Sequence, residues 1–378
     1  MKINYLDSGL NFRAGHHLEY ARRILGQLAA AGHDVHAYGY AKMEQEVVDG
    51  LERFGISRLF RDFLHVTASE YDDFAGEIVQ YRSEAVTVAK DLRKLRAADG
   101  WIWPLIRPQD IAACSALRVK VPMVGCVFWD PGVETRTLTA QLWRDALLGA
   151  RGAGLNLTLA SFEPEIRQRF MPIVPNGRFV TLPQPVEAKP LPAPRVALKR
   201  IGFFGHQREE KEARGMNALL AQLVARGFHV TFQNSSHYTP SPDVKGVEMI
   251  GFVDDLTAEI ARCDLVVLPY DIERYHARDS GLLVEALALG IPVTAPFGTL
   301  PGRIIEASRV GPLFISNGAA AILRAVQHAV RNYDFYARNA HRNAIDYTAR
   351  NNSARCAAAI VKLLGRDSVR AAEAQAEE

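Results

Sequence analysis

The apolar positions at the start of the chain change period twice within forty residues. Lys2 to Asp7 is a short apolar run that predicts a buried strand. From His16 to Ala31 the apolar residues Leu18, Ala21, Ile24, Leu25 and Leu28 fall at helical spacing. Gly32 stops that helix, and Asp34 to Tyr38 predicts the next strand. Strand, helix and strand in this order form a βαβ unit, which implies a parallel sheet. Strands are expected again at 100–106, 121–129, 155–160 and 179–182, with a helix over 163–170. Together they predict one Rossmann-like domain over residues 1–184. Between them, Phe54, Leu59, Phe60, Phe63 and Leu64 follow helical spacing with Arg53, Arg58 and Arg61 around them. This stretch, Leu51 to Leu64, and the basic run Leu92 to Arg96 predict surface helices. Their basic faces can pack on the core or touch an anionic membrane.

Pro183 to Lys199 holds five prolines and can form neither a helix nor a central strand. It predicts an extended linker, assigned to 185–199, and the βα pattern restarts after it. Strands are expected at 200–205, 229–233, 247–251, 264–270 and 291–295, with helices at 216–225 and 256–262. The run predicts a second Rossmann-like domain over 200–346, facing the first across a cleft. One further stretch, Arg278 to Val293, reads as loop, helix, glycine stop and strand. Ser280 or Asp279 can cap the helix, Gly281 leaves its first turn open, and Gly290 with Pro292 ends it.

Composition narrows the picture only a little. The 378 residues are 48% hydrophobic and 23% charged, as in a globular protein with a large core. A net charge of +3 makes no case for nucleic acid as a partner. Cys114, Cys126, Cys263 and Cys356 stand too far apart for metal or redox motifs, so buried thiols in a reducing cytoplasm are expected. The N-terminus has no apolar signal segment, and no run approaches the roughly 18 residues that span a bilayer.

Candidate chemistry gathers at the predicted carboxyl ends of strands, where open α/β sheets bind ligands. In the first domain these are the Gly15-His16-His17 turn and the Trp129-Asp130 loop. Either histidine can meet an acceptor or simply cap a helix, and Asp130 can hold a substrate hydroxyl or shape its turn. In the second domain the loop after Gly205 carries Arg208, Lys211 and Arg214. Arg208 and Lys211 beside the amides of Ser280 and Gly281 would bind a diphosphate. Glu285 lies one helical turn below Gly281, where a carboxylate suits ribose hydroxyls.

These residues carry a family resemblance. Gly205-His-Gln-Arg208 with Lys211, Gly251-Phe252-Val253-Asp254-Asp255, and Arg278-Asp279-Ser280-Gly281 followed by Glu285 and Gly290-Ile-Pro292 resemble the family-four glycosyltransferases. Those enzymes have the GT-B fold of two Rossmann-like domains. The Gly15 turn and Gly32-His33-Asp34-Val35 look similar too. The resemblance implies a nucleotide-sugar donor, UDP- or GDP-linked, bound mainly by the second domain. Arg208 and Lys211 would neutralise the diphosphate, Ser280 and Gly281 would cradle it, Glu285 would hold the ribose, and Phe252 and Val253 would line the base pocket. Gly15 would approach the donor from the first domain, which would bind the acceptor, a glycan or lipid-linked saccharide, through His16 or His17. Helices near 347–365 would pack back onto the first domain. Transfer with retention and without a metal is implied, in the cytoplasm or at the inner membrane face. The chain departs from the family where a glutamate usually stands eight positions before Glu285, because Ala277 is there. It departs again at Trp129-Asp130, where a histidine usually precedes the acid, and at Lys211-Glu212, where glycine usually follows the lysine. A nucleotide-sugar epimerase and a non-catalytic nucleotide-sugar-binding protein are the alternatives.

Overall fold

Among the described residues, seven parallel strands form the first sheet of the computed structural model. They are β1 (Lys2–Leu6), β2 (Asp34–Tyr40), β3 (Ile56–Phe60), β4 (Gly100–Trp103), β5 (Met123–Cys126), β6 (Leu157–Ser161) and β7 (Arg178–Thr181). Six more form the second: β8 (Arg200–Phe203), β9 (His229–Gln233), β10 (Val247–Ile250), β11 (Leu265–Val267), β12 (Val293–Pro296) and β13 (Leu313–Phe314). The structure describes residues 1–13, 16–62, 74–131, 139–173, 178–187, 189–191, 193–205, 215–234 and 244–376. The strand orders are β3-β2-β1-β4-β5-β6-β7 and β10-β9-β8-β11-β12-β13. In each sheet the chain moves outward from its first strand, then returns to build the other side. The reversal falls between β1 and β4 in one sheet and between β8 and β11 in the other. Crevices at the carboxyl ends of such reversal points are where doubly wound folds take ligands.

The helices that cross between the first set of strands are α1 (His16–Ala30), α2 (Gln45–Leu51), α3 (Phe74–Leu92), α4 (Pro108–Ala116), α5 (Thr139–Gly152) and α6 (Pro164–Phe170). The second set has α7 (Met216–Ala225), α8 (Leu256–Ala261), α9 (Gly281–Ala288), α10 (Leu300–Ser308), α11 (Ala319–Arg331) and α12 (Tyr333–Arg350), and α13 (Ser353–Ala376) follows. The chain divides into two units, Met1–Pro185 with Ser353–Glu378, and Val186–Asn352. The last helix, α13, therefore belongs to the first unit. Its Cys356, Ala357, Ile360 and Leu364 are buried with Leu18, Ile24 and Leu28 of α1. Gly100 makes room for it, because a Cβ there would come within 2.8 Å of Leu364 Cδ1. In the second unit Leu219, Leu220 and Leu223 of α7 pack with Ile201, Phe203 and Val267, while Leu283, Ala286 and Leu287 of α9 pack on Val266 and Val293. No described helix is long and apolar enough to cross a membrane.

The helix expected over Leu51 to Leu64 is replaced by a break and a strand. Gly55 sits at φ +73°, which ends the short helical turn after α2, and Ile56–Phe60 continues as edge strand β3 with Leu59 and Phe60 buried. The spacing misleads because Leu59 and Phe60 form a short apolar pair buried on both faces of the strand, which periodicity cannot tell from a helix segment. Two of the arginines are also engaged. Arg58 donates to the Met43 carbonyl at 3.0 Å, and Arg61 pairs with buried Asp91 at 2.9 Å. Phe63 and Leu64 lie outside the described residues.

Candidate functional site

In the second unit, one buried amide side chain ties the strand ends together. Gln233, the last residue of β9, is 4% exposed. Its Oε1 accepts from the Gly205 amide at 2.8 Å, and its Nε2 donates to the Gly251 carbonyl at 3.2 Å. The loops that leave β8 and β10 are thereby fixed beside each other. Gly205 itself has φ +98°, which a side chain rarely tolerates. Past Gly251 come exposed Phe252 and half-buried Val253. Asp255 caps α8, accepting from the Ala258 amide at 2.9 Å. Among the described residues no group of three or more His, Cys, Asp or Glu side chains could hold a metal ion.

Across the reversal point stands the start of α9. Ser280 is its cap, with Oγ accepting from the Leu283 amide at 3.2 Å and lying 2.8 Å from the Tyr270 hydroxyl. Asp279 Oδ1 accepts from the Ser280 amide at 2.7 Å. Tyr270 stacks on Tyr275 with ring centroids 3.8 Å apart, and the Arg278 guanidinium lies 5.4 Å above the Tyr275 ring. Burial, with Tyr275 beside it, raises the Tyr270 phenol well above its ordinary range, so it stays neutral. Gly281 is exposed, and a Cβ there would meet nothing within 4 Å. The first turn, Gly281 to Val284, is itself uncharged, and the Asp279 carboxylate just before it already meets the positive end of the helix dipole through the Ser280 amide. Glu285 is half-buried, and Thr257 of α8 donates to its Oε2 at 3.2 Å. The structure therefore brings Ser280, Gly281 and Glu285 onto one short helix. Arg208 and Lys211 lie outside the described residues. Ala277 is fully buried, so a carboxylate eight positions before Glu285 would enter the core of this unit.

The reversal point of the first unit is filled. Asp7 follows β1 and is 1% exposed. Its Oδ1 accepts from the Gly9 amide at 2.8 Å, and its Oδ2 lies 2.9 Å from His17 Nδ1. His17, on α1, is 6% exposed. The ring rests on Gly9 so closely that a Cβ there would be 2.2 Å from His17 Cε1. Tyr20, Phe128 and Phe162 stack nearby at centroid distances of 5.4 to 6.0 Å, and the remaining space admits no water. Asp130 is held by Arg169 at 2.9 Å, and Arg169 also grips Glu165. Gly15 and the side chain of His16 lie outside the described residues. Asp7, Gln233 and Tyr270 had escaped sequence reasoning. Asp7 directly after a predicted strand, two residues before a glycine, was a usable signal; the other two become visible only once strand register is known.

No protein-family model matches the chain, and no curated protein matches it. Solved structures do. HepE from Anabaena in complex with UDP is similar at a TM-score of 0.69 and 14% identity, over 97% of this chain and 100% of that one. Sucrose-phosphate synthase from Thermosynechococcus elongatus is similar at 0.68 and 14% identity, over 98% of this chain and 100% of that one. The spinosyn rhamnosyltransferase SpnG, complexed with thymidine diphosphate, is similar at 0.60 and 18% identity, over 96% of this chain and 100% of that one. At these identities the likeness establishes the fold. Two parallel-sheet α/β domains match the GT-B architecture of glycosyltransferase structures.

Proposed function

We propose that this chain is a glycosyltransferase of the family-four type, moving a sugar from a nucleotide diphosphate to a glycan or lipid-linked acceptor. The observation that carries the proposal is the open start of α9, with exposed Gly281 beside the strand-end loops that Gln233 pins. The Gly281 amide would donate to the diphosphate, where the helix dipole favours negative charge, and the Ser280 amide would join it by exchanging its Asp279 partner for a phosphate oxygen. Arg208 and Lys211 would share its charge as the glycosidic bond breaks, which is the step that preorganised cations and dipoles accelerate. Glu285 would bind the ribose hydroxyls, with its carboxylate aimed by Thr257. Phe252 and Val253 would flank the base, and UDP or GDP is the expected carrier. That HepE was solved with UDP and SpnG with thymidine diphosphate supports a nucleoside diphosphate ligand. No metal is required by these roles. The first unit would hold the acceptor through His16 or His17, with Gly15 approaching the donor and Asp130 as a further catalytic candidate.

Retention is part of the proposal. A second course, direct displacement with inversion, is favoured by one observation: Asp7 holds His17 Nδ1, which would orient Nε2 as a general base once the packed crevice around it opens to an acceptor. The anomeric configuration of the first product, read by proton NMR, separates the two. The primary test is a thermal-shift and calorimetric screen against uridine, guanosine, adenosine and thymidine diphosphates, followed by Glu285→Gln. One diphosphate should bind, and the variant should bind it about tenfold more weakly, near 1.4 kcal/mol. Unchanged affinity would remove Glu285 from the site, and no binding to any of the four would remove the assignment. Donor incubated with and without acceptors decides the chemistry. Nucleoside diphosphate released only with acceptor supports transfer, a new sugar nucleotide indicates an epimerase, and binding without turnover indicates a binding protein.

A further inference from the structure

The second sheet ends in an open groove that lies along its side edge. β13 is the edge strand, paired on one side with β12. The Phe297 amide donates to the Phe314 carbonyl, and Thr294 Oγ1 donates to the Pro312 carbonyl at 2.7 Å. Positions 312 and 314 thus turn their polar groups toward β12. By the alternation of a ladder Leu313 turns its own outward, and the same alternation carried past the end of β13 would bring those of Ile315 outward as well. Beside this edge lies a hollow of about 770 Å³, lined by β13, the end of α10, α11 and the start of α12. Three large apolar side chains stand exposed there: Phe297 at 57%, Ile315 at 76% and Phe335 at 48%. Exposed apolar groups gathered in one hollow mark an interaction surface rather than ordinary surface variety.

Arg309, Arg324 and Arg331 line the same hollow and are exposed, and they outnumber its carboxylate, Glu306. Among the described residues none of the three has an ion-pair partner. Arg309 occupies the left-handed region at φ +52°, and Asn339 of α12 donates to its carbonyl at 3.2 Å. A non-glycine residue held there by a cross-helix bond fixes one cation at the end of the groove. The charge argues against a second copy as occupant, because pairing two such edges would set three arginines against three. The recess argues against a flat lipid surface.

We propose that this groove binds an extended, acidic and apolar segment of a partner protein, which adds to β13 as a strand. The outward amides and carbonyls of Leu313 and Ile315 supply main-chain hydrogen bonds, the apolar hollow takes alternate side chains, and the arginines meet the carboxylates between them. The surface lies on the side edge of the sheet and its use does not depend on the donor reading.

The test uses the full chain and a fluorescein-labelled twelve-residue peptide alternating glutamate with leucine and phenylalanine, beside the same peptide with lysine for glutamate. Anisotropy should show binding of the glutamate peptide alone. The combined variant Arg309→Asn, Arg324→Gln, Arg331→Gln should weaken it at least about thirtyfold, a change expected of several lost charge contacts. Hydrogen exchange should slow at the amides of Leu313 and Ile315 when the glutamate peptide is present. Equal binding of the lysine peptide, full affinity in the triple variant, or unchanged exchange at those amides overturns the proposal. So does a dimer in sedimentation, or adsorption to phosphatidylserine vesicles, that the triple variant abolishes; these would assign the groove to a second copy or to lipid.

Discussion

The two units share one strand order and differ in what stands where that order reverses. In the first, β1 ends in Asp7, and the space toward β4 is closed by the Asp7–His17 pair and by Tyr20, Phe128 and Phe162. In the second, β8 ends in Gly205, β11 is followed by the Tyr270–Ser280 contact, and the start of α9 is left bare at Gly281. The same topology thus yields a packed plug in one unit and an exposed helix terminus in the other. A doubly wound sheet supplies the place for a ligand, but the side chains at the reversal decide whether anything can enter. The second unit uses polar groups to pin loops apart from the opening, whereas the first spends them inside it.

The sharpest way to break this contrast is to remove the plug. Asp7→Ala leaves His17 buried without its hydrogen-bond partner and frees the Gly9 amide, and each buried polar group left unsatisfied costs about 1–3 kcal/mol. All four tryptophans, Trp101, Trp103, Trp129 and Trp143, belong to the first unit, so tryptophan fluorescence in urea follows that unit directly. Its midpoint should fall steeply while nucleoside diphosphate binding stays as before. A loss below about 1 kcal/mol would mean that the aromatic cluster, rather than the Asp7–His17 contact, closes the crevice. Loss of nucleotide binding in a variant that is still folded would mean that the plug belongs to the site.

How much of this was legible beforehand differs between the units for a physical reason. The second announces itself through local chemistry. Ser280 caps α9, Gly290 sits at φ +67° just past its end, and Met216–Ala225 and His229–Gln233 form the expected helix and strand. Caps and glycine stops are decided within a few residues, so they can be read from spacing. The features that give each crevice its character are not local. Asp7 meets His17 ten positions away, and Gln233 joins Gly205 to Gly251, a pairing that exists only after β9 settles between β8 and β10. The stretch around Gly55 misled for another reason: the adjacent buried pair Leu59 and Phe60 suits a strand covered on both faces as well as a helix, and the break at Gly55, with its positive φ, separates the two.

Gly281→Ala sharpens the contrast from the other side. A Cβ at 281 meets nothing within 4 Å, so the fold should accept it, and alanine favours a helix more than glycine does. Thermal stability should therefore hold or rise slightly. The methyl would nevertheless occupy the surface over the bare amides, and nucleoside diphosphate affinity should drop about tenfold, near 1.4 kcal/mol. Calorimetry beside a melting curve reads both quantities. Undiminished affinity would show that the exposed terminus of α9 is simply a helix end, and the difference between the units would then concern packing alone.

The smallest effect concerns the outer strand ends of the first unit, where ionisable groups are again drawn inward. Asp62 follows β3, and its Oδ2 has no hydrogen-bond partner among the described residues. Burial, followed by the neighbouring charge of Glu84, raises its carboxyl from 3.8 to about 6. The folded state therefore binds this proton more tightly than the unfolded chain does. The resulting stabilisation is fully present below about pH 4 and is lost as pH rises through about 6. Because the group is only partly buried, the cost above pH 6 is about 1 kcal/mol after screening, less than the full shift implies. Asp62→Asn removes the charged form and with it the cost. It should raise the tryptophan-detected midpoint at pH 7.5 and leave it unchanged at pH 4, with no effect on nucleotide binding at either pH. A gain of equal size at both pH values would trace the benefit to packing. A loss at pH 7.5 with no change at pH 4 would reverse the sign, and would mean that Arg107 and Arg61 already hold Asp62 ionised in the folded chain.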